Sequence, residues 1–180
     1  MRIISGIYRG RPLIAPKGDT TRPTADRTRE ALFSMLVSRL GSFEDLRVLD
    51  LFAGSGALGL EALSRGAASC TFVEQDGDAL TALRTNIAKL KATGAEIRAQ
   101  SVMALGPAPA PYDLILLDPP YESGAGVVAL ERLLRLGWIA GGALVSVETT
   151  KKEAVAVEGL EVEVERIHGK AKITLLRPHI

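Results

Sequence analysis

The tetrapeptide Asp118-Pro119-Pro120-Tyr121 directly follows an apolar run at 112–117. Two consecutive prolines hold φ at about −65° and cannot donate backbone hydrogen bonds, so they predict a rigid, extended turn whose carbonyls stay free. Such a turn suits an amine, because Asp118 and a proline carbonyl can accept the two N–H bonds of an exocyclic amino group and offset the positive charge that develops during methylation. Tyr121 is then expected to stack on a base that has left its helix or loop. These four residues are the predicted catalytic residues.

A glycine-rich segment, Gly54-Ser55-Gly56-Ala57-Leu58-Gly59, lies between an apolar run and a helical pattern. The spacing of its glycines is typical of loops that let a nucleotide cofactor lie against the backbone, and it does not by itself distinguish one cofactor from another. Asp50, just before the loop, would repel a pyrophosphate but could attract the ammonium group of methionine, directly or through water. The sequence therefore favours S-adenosylmethionine as the cofactor, bound by Asp50, Phe52, Ala53, Gly54 and Gly56.

The ribose and the adenine of that cofactor need contacts farther along the chain. Glu74 ends a second apolar run 20 residues after Gly54 and can accept hydrogen bonds from both ribose hydroxyls, with Gln75 beside it. Asp76 could bind the ribose instead, and the spacing favours Glu74. Contacts to the adenine ring are predicted just after the third strand, at Ser101 and Val102.

The net charge of +1 hides an uneven distribution of charge along the chain. Residues 1–30 carry seven basic and three acidic side chains, or +4, so residues 31–180 together carry −3. A positive field at the N-terminal end would attract a phosphate backbone, and a solvated basic surface without a partner is the plain alternative. The arginines expected to contact nucleic acid are Arg2, Arg9, Arg11, Arg22 and Arg27.

Strand and helix patterns alternate along most of the chain and would position these groups. Thr24 is placed to cap a helix that carries leucines at helical spacing and ends at Gly41. Because alternation implies right-handed crossovers, we expect a doubly wound α/β fold with a mostly parallel sheet. The five strands of the alternating part are predicted near 47–52, 70–74, 95–100, 112–117 and 143–148.

The C-terminal tail departs from this alternation. Apolar and acidic residues alternate at 160–165, and the stretch 172–177 follows a short turn that contains Gly169, which predicts an antiparallel hairpin. We expect one domain over residues 1–180, in which a basic arm at 1–23 precedes a cofactor-binding catalytic core at 24–180.

Several classes of protein and site are disfavoured. No stretch approaches the roughly 18 uninterrupted apolar residues of a membrane span, and the N-terminus lacks the apolar run of a signal peptide, so a cytoplasmic protein is expected. His168 and His179 have no cysteine or acidic partner at metal-ligand spacing, so no metal site is predicted. Cys70 is the single cysteine and lies in an apolar run, which predicts burial.

The sequence resembles the RsmD-type methyltransferases over essentially its whole length. The similar motifs are Arg2-Ile3-Ile4-Ser5-Gly6, Tyr8-Arg9-Gly10-Arg11-Pro12-Leu13, Arg22-Pro23-Thr24-Ala25-Asp26-Arg27, Arg29-Glu30-Ala31-Leu32-Phe33, Asp118-Pro119-Pro120-Tyr121 and Gly169-Lys170-Ala171-Lys172. The resemblance implies a Rossmann-like class I methyltransferase fold and methylation of the N2 amino group of one guanine in small-subunit ribosomal RNA. It also implies that the basic arm contacts this RNA and that the helix start, at Thr24, lies over the methionine end of the cofactor. Ser101 departs from many relatives, which carry an acid there.

Other functions share parts of this pattern. Related tetrapeptides occur in methyltransferases that act on the N6 amine of adenine in DNA or on a protein glutamine. The basic arm favours nucleic acid over glutamine as the substrate. Only the resemblance favours guanine over adenine. Asp50 and Asp118 disfavour an RNA-binding protein without catalysis. The proline turn has no role in hydride transfer, which disfavours a nicotinamide oxidoreductase. We expect a monomer that acts on ribosomal RNA or on an assembled small-subunit particle.

Overall fold

The structure, a computed structural model, describes residues 1–18 and 23–179; the side chains of Pro23 and Thr24 also lie outside what it describes. Strands and helices alternate through most of the chain, and a short 3-10 helix at Val102–Ala104 follows the third strand. The helices are α1 (Pro23–Leu40), α2 (Ala57–Ser64), α3 (Gly77–Leu90) and α4 (Ala125–Arg135). The strands are β1 (Arg47–Leu51), β2 (Ser69–Glu74), β3 (Ala95–Ala99), β4 (Tyr112–Leu117), β5 (Ile139–Thr150), β6 (Leu160–His168) and β7 (Ala171–Pro178).

The strands form one seven-stranded sheet in the order β3-β2-β1-β4-β5-β7-β6. β1 to β5 pair in parallel, and β7 runs antiparallel to both β5 and β6. The predicted mostly parallel sheet with a C-terminal antiparallel hairpin is confirmed. The strand order reverses between β1 and β4, whose last residues, Leu51 and Leu117, are paired. In open α/β sheets a ligand binds in the crevice outside the strands at such a point.

Helices cover both faces of the sheet, so its central strands are buried. Leu114, Leu116 and their neighbours belong to one apolar cluster, and Ile115 and Leu117 belong to a second one on the opposite face. Trp138 is fully buried in the second cluster, where it stacks on Tyr112. Cys70 is buried, as its apolar neighbours predicted. Among the described residues, none of the helices has the length and apolar character needed to cross a membrane.

The predicted bounds of two elements are wrong. Helix α1 begins at Pro23, so Thr24 lies in its first turn and does not cap it. Proline is favoured at a first helical position because its missing N–H would have no partner there. Strand β5 is longer than the predicted 143–148 at both ends. It begins at Ile139, which pairs with Tyr112 of β4, and its last residues, Thr149 and Thr150, pair with β7. These polar residues carry no apolar signal, and the backbone ladder extends through them.

Residues 1–13 form an N-terminal hook that folds back on itself. The amide of Ile3 donates to the carbonyl of Arg11 (3.0 Å), and that of Leu13 donates to the carbonyl of Met1 (2.8 Å). The buried carboxylate of Glu61 on α2 accepts hydrogen bonds from the amides of Ile4 (2.9 Å) and Ser5 (3.1 Å). Since Ile3 and Leu13 are also buried, the hook is fixed to the domain surface.

Candidate active site

A cavity of about 720 Å³ opens beside the carboxyl ends of β1 and β4. Its wall is built from the start of α1, the loops after β1 and β4, the end of β5 and the turn between β6 and β7. The sheet therefore brings together side chains that are far apart in the sequence. Among them are Asp50, Phe52, Gly54, Asp118, Tyr121 and Glu148.

The three glycines of the predicted motif, two in the loop after β1 and Gly59 in α2, have different surroundings. A Cβ added to Gly54, whose φ is +57°, would meet nothing within 4 Å, and this residue lines the cavity with Phe52 and Ala53. A Cβ on Gly56 would lie 2.4 Å from a methyl group of Leu83, and one on Gly59 would lie 2.4 Å from the ring of Phe72. Gly54 thus leaves room for a ligand. Gly56 was predicted to bind the cofactor, but a side chain at this position would point into the core.

Asp50 is a buried carboxylate with one unpaired oxygen. Its Oδ2 accepts a hydrogen bond from the amide of Gly59 (3.0 Å), which fixes the side chain against α2. Its Oδ1 is buried and has no hydrogen-bond partner among the residues that the structure describes. Burial raises the pKa of Asp50 well above its usual range, and the carboxylates of Asp118 and Glu74 act in the same direction. A cationic N–H donor in the cavity would satisfy this oxygen, so this unpaired acceptor fits an ammonium group.

Glu74 lies beside the glycine loop, as a ribose ligand would require. Its Oε1 accepts from the amide of Gly54 (2.8 Å), and its Oε2 accepts from the amides of Gln75 and Asp76 (2.9 Å each). Asp76 has a different task, because its carboxylate accepts from the amide of Ala79 (3.0 Å) and caps α3. Of the two acids considered for the ribose, Glu74 therefore contacts the glycine loop and Asp76 contacts α3.

The predicted adenine contacts, Ser101 and Val102, lie at the same edge of the sheet as Glu74 and are not among the residues that line the cavity. Ser101 and Val102 follow β3, whose Ala99 is paired with Glu74. The hydroxyl of Ser101 accepts from the amide of Met103 (3.2 Å) and caps the short 3-10 helix, while Val102 is buried. The side chain of Thr24 lies outside the described residues, but the neighbouring Ala25 lines the cavity.

Asp118 follows β4 and opens onto the cavity. The protein atoms that surround its carboxyl raise the pKa of Asp118 to about 7, and the carboxylate of Glu148 adds to this effect. Pro119 is buried and Pro120 is exposed. The prediction that the carbonyls of the turn stay free is wrong for Pro120, which accepts a hydrogen bond from the hydroxyl of Ser123 (2.6 Å). The chain reverses through Glu122, whose φ is +59°, and this returns Ser123 to the turn.

Tyr121 and Glu148 form a hydrogen-bonded pair at the cavity. The phenolic hydroxyl donates to Oε2 of Glu148 over 2.7 Å, while the side chain of Tyr121 stays 49% exposed. Burial and this hydrogen bond raise the pKa of Tyr121, so its hydroxyl stays protonated. Sequence reasoning missed Glu148 as a site residue. The available signal was its position at the end of a parallel strand, where Glu74 also lies.

Comparisons with known proteins identify the family of the chain. The family model described as "Conserved hypothetical protein 95" matches residues 1–177. Two proteins named ribosomal RNA small subunit methyltransferase D are similar to the chain. The protein of Escherichia coli K12 is 42% identical over 150 residues, which cover 83% of this chain and 74% of the relative. The protein of Haemophilus influenzae is 38% identical over 156 residues, which cover 84% of this chain and 79% of the relative. The chain belongs to the RsmD-type methyltransferase family.

A solved structure described as the putative methyltransferase YhhF from Escherichia coli superimposes with a TM-score of 0.87 at 37% identity, covering 99% of this chain and 98% of the other. The family resemblance and the Rossmann-like methyltransferase fold expected from the sequence are confirmed. In this RsmD-type chain the β6–β7 turn also reaches the cavity with His168, Gly169 and Lys170, and Nδ1 of His168 lies 3.4 Å from the hydroxyl of Thr28. Sequence reasoning considered His168 only as a metal ligand. Within residues 1–18 and 23–179, no group of three or more His, Cys, Asp or Glu could hold a metal ion.

The arginines predicted to bind nucleic acid lie mostly on the hook. Arg2, Arg9, Arg11 and Arg27 are exposed, whereas Arg22 lies outside the described residues. Arg2 donates to the carbonyl of Gly10 (2.7 Å) and Arg11 to that of Lys89 (2.8 Å), so both side chains are oriented by the backbone. The hook adjoins the cavity, because its first residue, Met1, lines the wall.

Arg29, which contributes to the positive charge of the first 30 residues, is not part of this exposed group. It is buried, pairs with Asp26 (3.3 Å) and Glu61 (3.6 Å), and donates to the carbonyl of Arg2. Arg29 therefore joins the hook to α1 and α2, and its charge is neutralised inside the protein.

Proposed function

We propose that this protein transfers a methyl group from S-adenosylmethionine to the exocyclic N2 amino group of a guanine in small-subunit ribosomal RNA. The observation that carries the proposal is that Asp50, with its unpaired oxygen, and Asp118, with its proline turn, line the same cavity from neighbouring strands. The first suits a cationic amino-acid group, and the second suits an amine that becomes positive during the reaction. The names of the two relatives support ribosomal RNA as the substrate.

The charges around the cavity support this cofactor over a dinucleotide. Three acidic residues, Asp50, Asp118 and Glu148, line the cavity with two basic ones, Arg29 and Lys170, and Arg29 is already paired with Asp26 and Glu61. As carboxylates, the three acids would repel a pyrophosphate and attract a sulfonium and an ammonium group. Asp50 would hold the ammonium group, the open face at Gly54 would receive the body of the cofactor, and Glu74 would bind its ribose. When bound, the cofactor supplies the electrophilic methyl carbon.

The turn after β4 would orient the amine for attack. Asp118 and the carbonyl of Pro119 would accept the two N–H bonds, which points the nitrogen lone pair away from them and toward the methyl carbon. As the nitrogen becomes positive, the carboxylate of Asp118 compensates the charge, and one proton leaves the nitrogen for Asp118 or water. The exposed ring of Tyr121 offers a surface on which the extruded base would stack.

The N-terminal hook would bind the RNA around the target nucleotide. Its exposed arginines are fixed on ordered backbone next to the cavity, so they can neutralise phosphates without a large ordering cost. We propose that residues 1–180 act as one domain, with the arm at 1–23 and the catalytic core at 24–180, and that free ribosomal RNA or the assembled particle is bound.

The proposal is tested by comparing ribosomal RNA nucleosides from cells with and without the gene by mass spectrometry. We expect N2-methylguanosine at one small-subunit position to disappear with the gene and to return with the parent gene but not with an Asp118→Ala allele. A lost N6-methyladenosine would instead support the adenine alternative. Unchanged methylation of both bases would refute the proposed function.

A further inference from the structure

Asp118 and Glu148 are cross-strand neighbours at the end of the parallel sheet. In the β4–β5 ladder Leu117 is paired with Val147, so the next residue on each strand is an acid. Side chains alternate between the two faces of a sheet, and neighbouring strands are about 4.8 Å apart. Both acids line the same cavity from neighbouring strands, and we expect the substrate base to enter there.

The hydroxyl of Tyr121 fixes the second of these carboxylates. The hydroxyl donates a hydrogen bond to Oε2 of Glu148 over 2.7 Å, and the other carboxylate oxygen, Oε1, takes no part in this bond. The side chain of Tyr121, whose ring is expected to stack on the base, is thus hydrogen-bonded directly to Glu148. A base lying on Tyr121 would present one edge to Asp118 and Glu148 together.

Two adjacent carboxylates suit an edge that carries two adjacent N–H donors. Guanine has such an edge, because N1–H lies next to the N2 amino group. Adenine has its amino group next to N1, which carries a lone pair and no proton. An unprotonated N1 facing a carboxylate would place two acceptors together and leave both unpaired, which is costly once the bound base excludes water from between them.

We infer that Glu148 accepts the N1–H of the target guanine while Asp118 holds its N2 amino group, so that Glu148 selects guanine over bases without an N1 proton. This inference rests on the proposed function and deepens it by naming the residue that identifies the base. Burial is the main cause of the raised pKa of Asp118 in the free protein, and the charge of Glu148 adds to it; the second N–H bond would offset this added repulsion.

The test uses 2-aminopurine, which keeps the N2 amino group but has no proton on N1. Once the methylated guanine is mapped, small-subunit particles are reconstituted with RNA that carries either guanine or 2-aminopurine at that position, and single-turnover methylation is measured. The parent should methylate guanine about 10- to 100-fold faster, the range for a lost hydrogen bond to a charged group. Equal rates for the two bases in the parent would overturn the inference without any variant.

The Glu148→Gln variant turns the acceptor into a possible donor. Its side-chain amide can donate to the lone pair on N1 of 2-aminopurine, so the preference for guanine should shrink by about 10-fold. Glu148→Asp keeps the carboxylate and should retain the preference at a lower rate. Glu131→Gln, on the exposed side of α4, is the matched control and should behave as the parent does.

The outcomes separate base selection from a supporting role. If Glu148→Gln slowed both substrates equally, Glu148 would only support Tyr121 and the inference would be wrong. If the parent formed no N2-methylguanosine on guanine particles, the proposed function itself would fail. Thermal melting of each variant shows whether a lost rate reflects lost folding.

Discussion

The carboxylate of Glu74 joins the end of β2 to the glycine loop, with Oε1 2.8 Å from the backbone nitrogen of Gly54. Its second oxygen accepts from the two amides that follow it, those of Gln75 and Asp76. Glu74 therefore fixes the loop against which the cofactor would lie, in addition to its proposed role of binding the ribose. Loss of this side chain should affect the cofactor through both routes.

Replacing Glu74 by alanine should weaken binding of S-adenosylmethionine by about 1.5 to 3 kcal/mol, the usual range for hydrogen bonds to a charged group. Isothermal titration calorimetry measures this directly. Asp76→Ala is the matched variant: it removes the cap of α3 and should lower the free energy of unfolding by about 1 kcal/mol with nearly parental affinity. Unchanged affinity in Glu74→Ala would contradict the ribose assignment.

Substitutions of Gly54 and Gly59 should have different effects, one on ligand binding and the other on packing. Gly59→Ala places a methyl group against Phe72 and should lower the free energy of unfolding by about 1 to 3 kcal/mol, as overpacking does. Gly54→Ala has open space around its methyl group and should mainly weaken the cofactor, apart from about 1 kcal/mol for its positive φ. Urea unfolding and calorimetry on both variants provide the test, and the reverse ranking would contradict the division of roles.

The parts of the fold that depend on local pattern were predictable from the sequence. The apolar run at 112–117 became β4 with the same bounds, because a strand covered on both faces needs no alternation. The hairpin at the C-terminus was equally visible in its alternating residues. Asp50, Glu74 and Asp118 could be proposed as site residues because each lies at the carboxyl end of such a run or directly after it.

The rest depends on contacts between distant segments, which a single sequence does not show. Glu148 reaches Tyr121 through the register of β5 against β4, and the β6–β7 turn reaches the cavity through the register of β7. In the sequence Glu61 is an ordinary helical acid, and its hydrogen bonds to two amides of the hook appear only in the folded structure. The free carbonyl at Pro120 was mispredicted because the reversal at Glu122 gives no signal in the sequence.

Replacing Arg9 and Arg11 together by alanine should weaken RNA binding and reduce its dependence on salt. The affinity K falls with salt, and each lost phosphate contact should reduce the magnitude of the negative slope of log K against log salt by about 0.7 to 0.9. Fluorescence anisotropy at several salt concentrations measures the slope, and cofactor affinity should stay near the parent value. Arg135→Ala, an exposed arginine at the end of α4, is the control. Equal slopes for the double variant and the parent would remove the hook from the RNA interface.

The raised pKa of Asp118 predicts how stability depends on pH. Because the folded protein holds this proton more tightly than the unfolded chain does, the stabilising contribution is complete below the unfolded pKa and is lost as the pH rises through about 7. Asp118→Asn has no such proton, so its stability relative to the parent should be greater at pH 8 than at pH 5. Urea unfolding at both pH values tests this, and a difference that does not change with pH would contradict it.

Substitutions of Asp118 should also separate its charge from its role as a hydrogen-bond acceptor. Asp118→Asn keeps a carbonyl oxygen in nearly the same shape and removes the charge, so measurable methyl transfer should remain. Asp118→Ala removes the acceptor as well, and single-turnover transfer should fall further, by about 10²- to 10³-fold in total, as when one preorganised electrostatic partner is lost. In the parent, the rate should fall as the pH drops below the pKa of Asp118, because a protonated carboxyl cannot compensate the developing charge.

The measurement is single-turnover methyl transfer to small-subunit particles with saturating cofactor, since saturation removes any effect on cofactor binding. Calorimetry should give nearly parental cofactor affinity for both variants, because Asp50 and Glu74 are intact, and thermal melting should show that both are folded. A well-folded Asp118→Ala protein that transferred methyl groups at the parent rate would mean that Asp118-Pro119-Pro120-Tyr121 is only a structural turn. The amine would then have to be oriented by other acceptors in the cavity, and Glu148 would be the first to test.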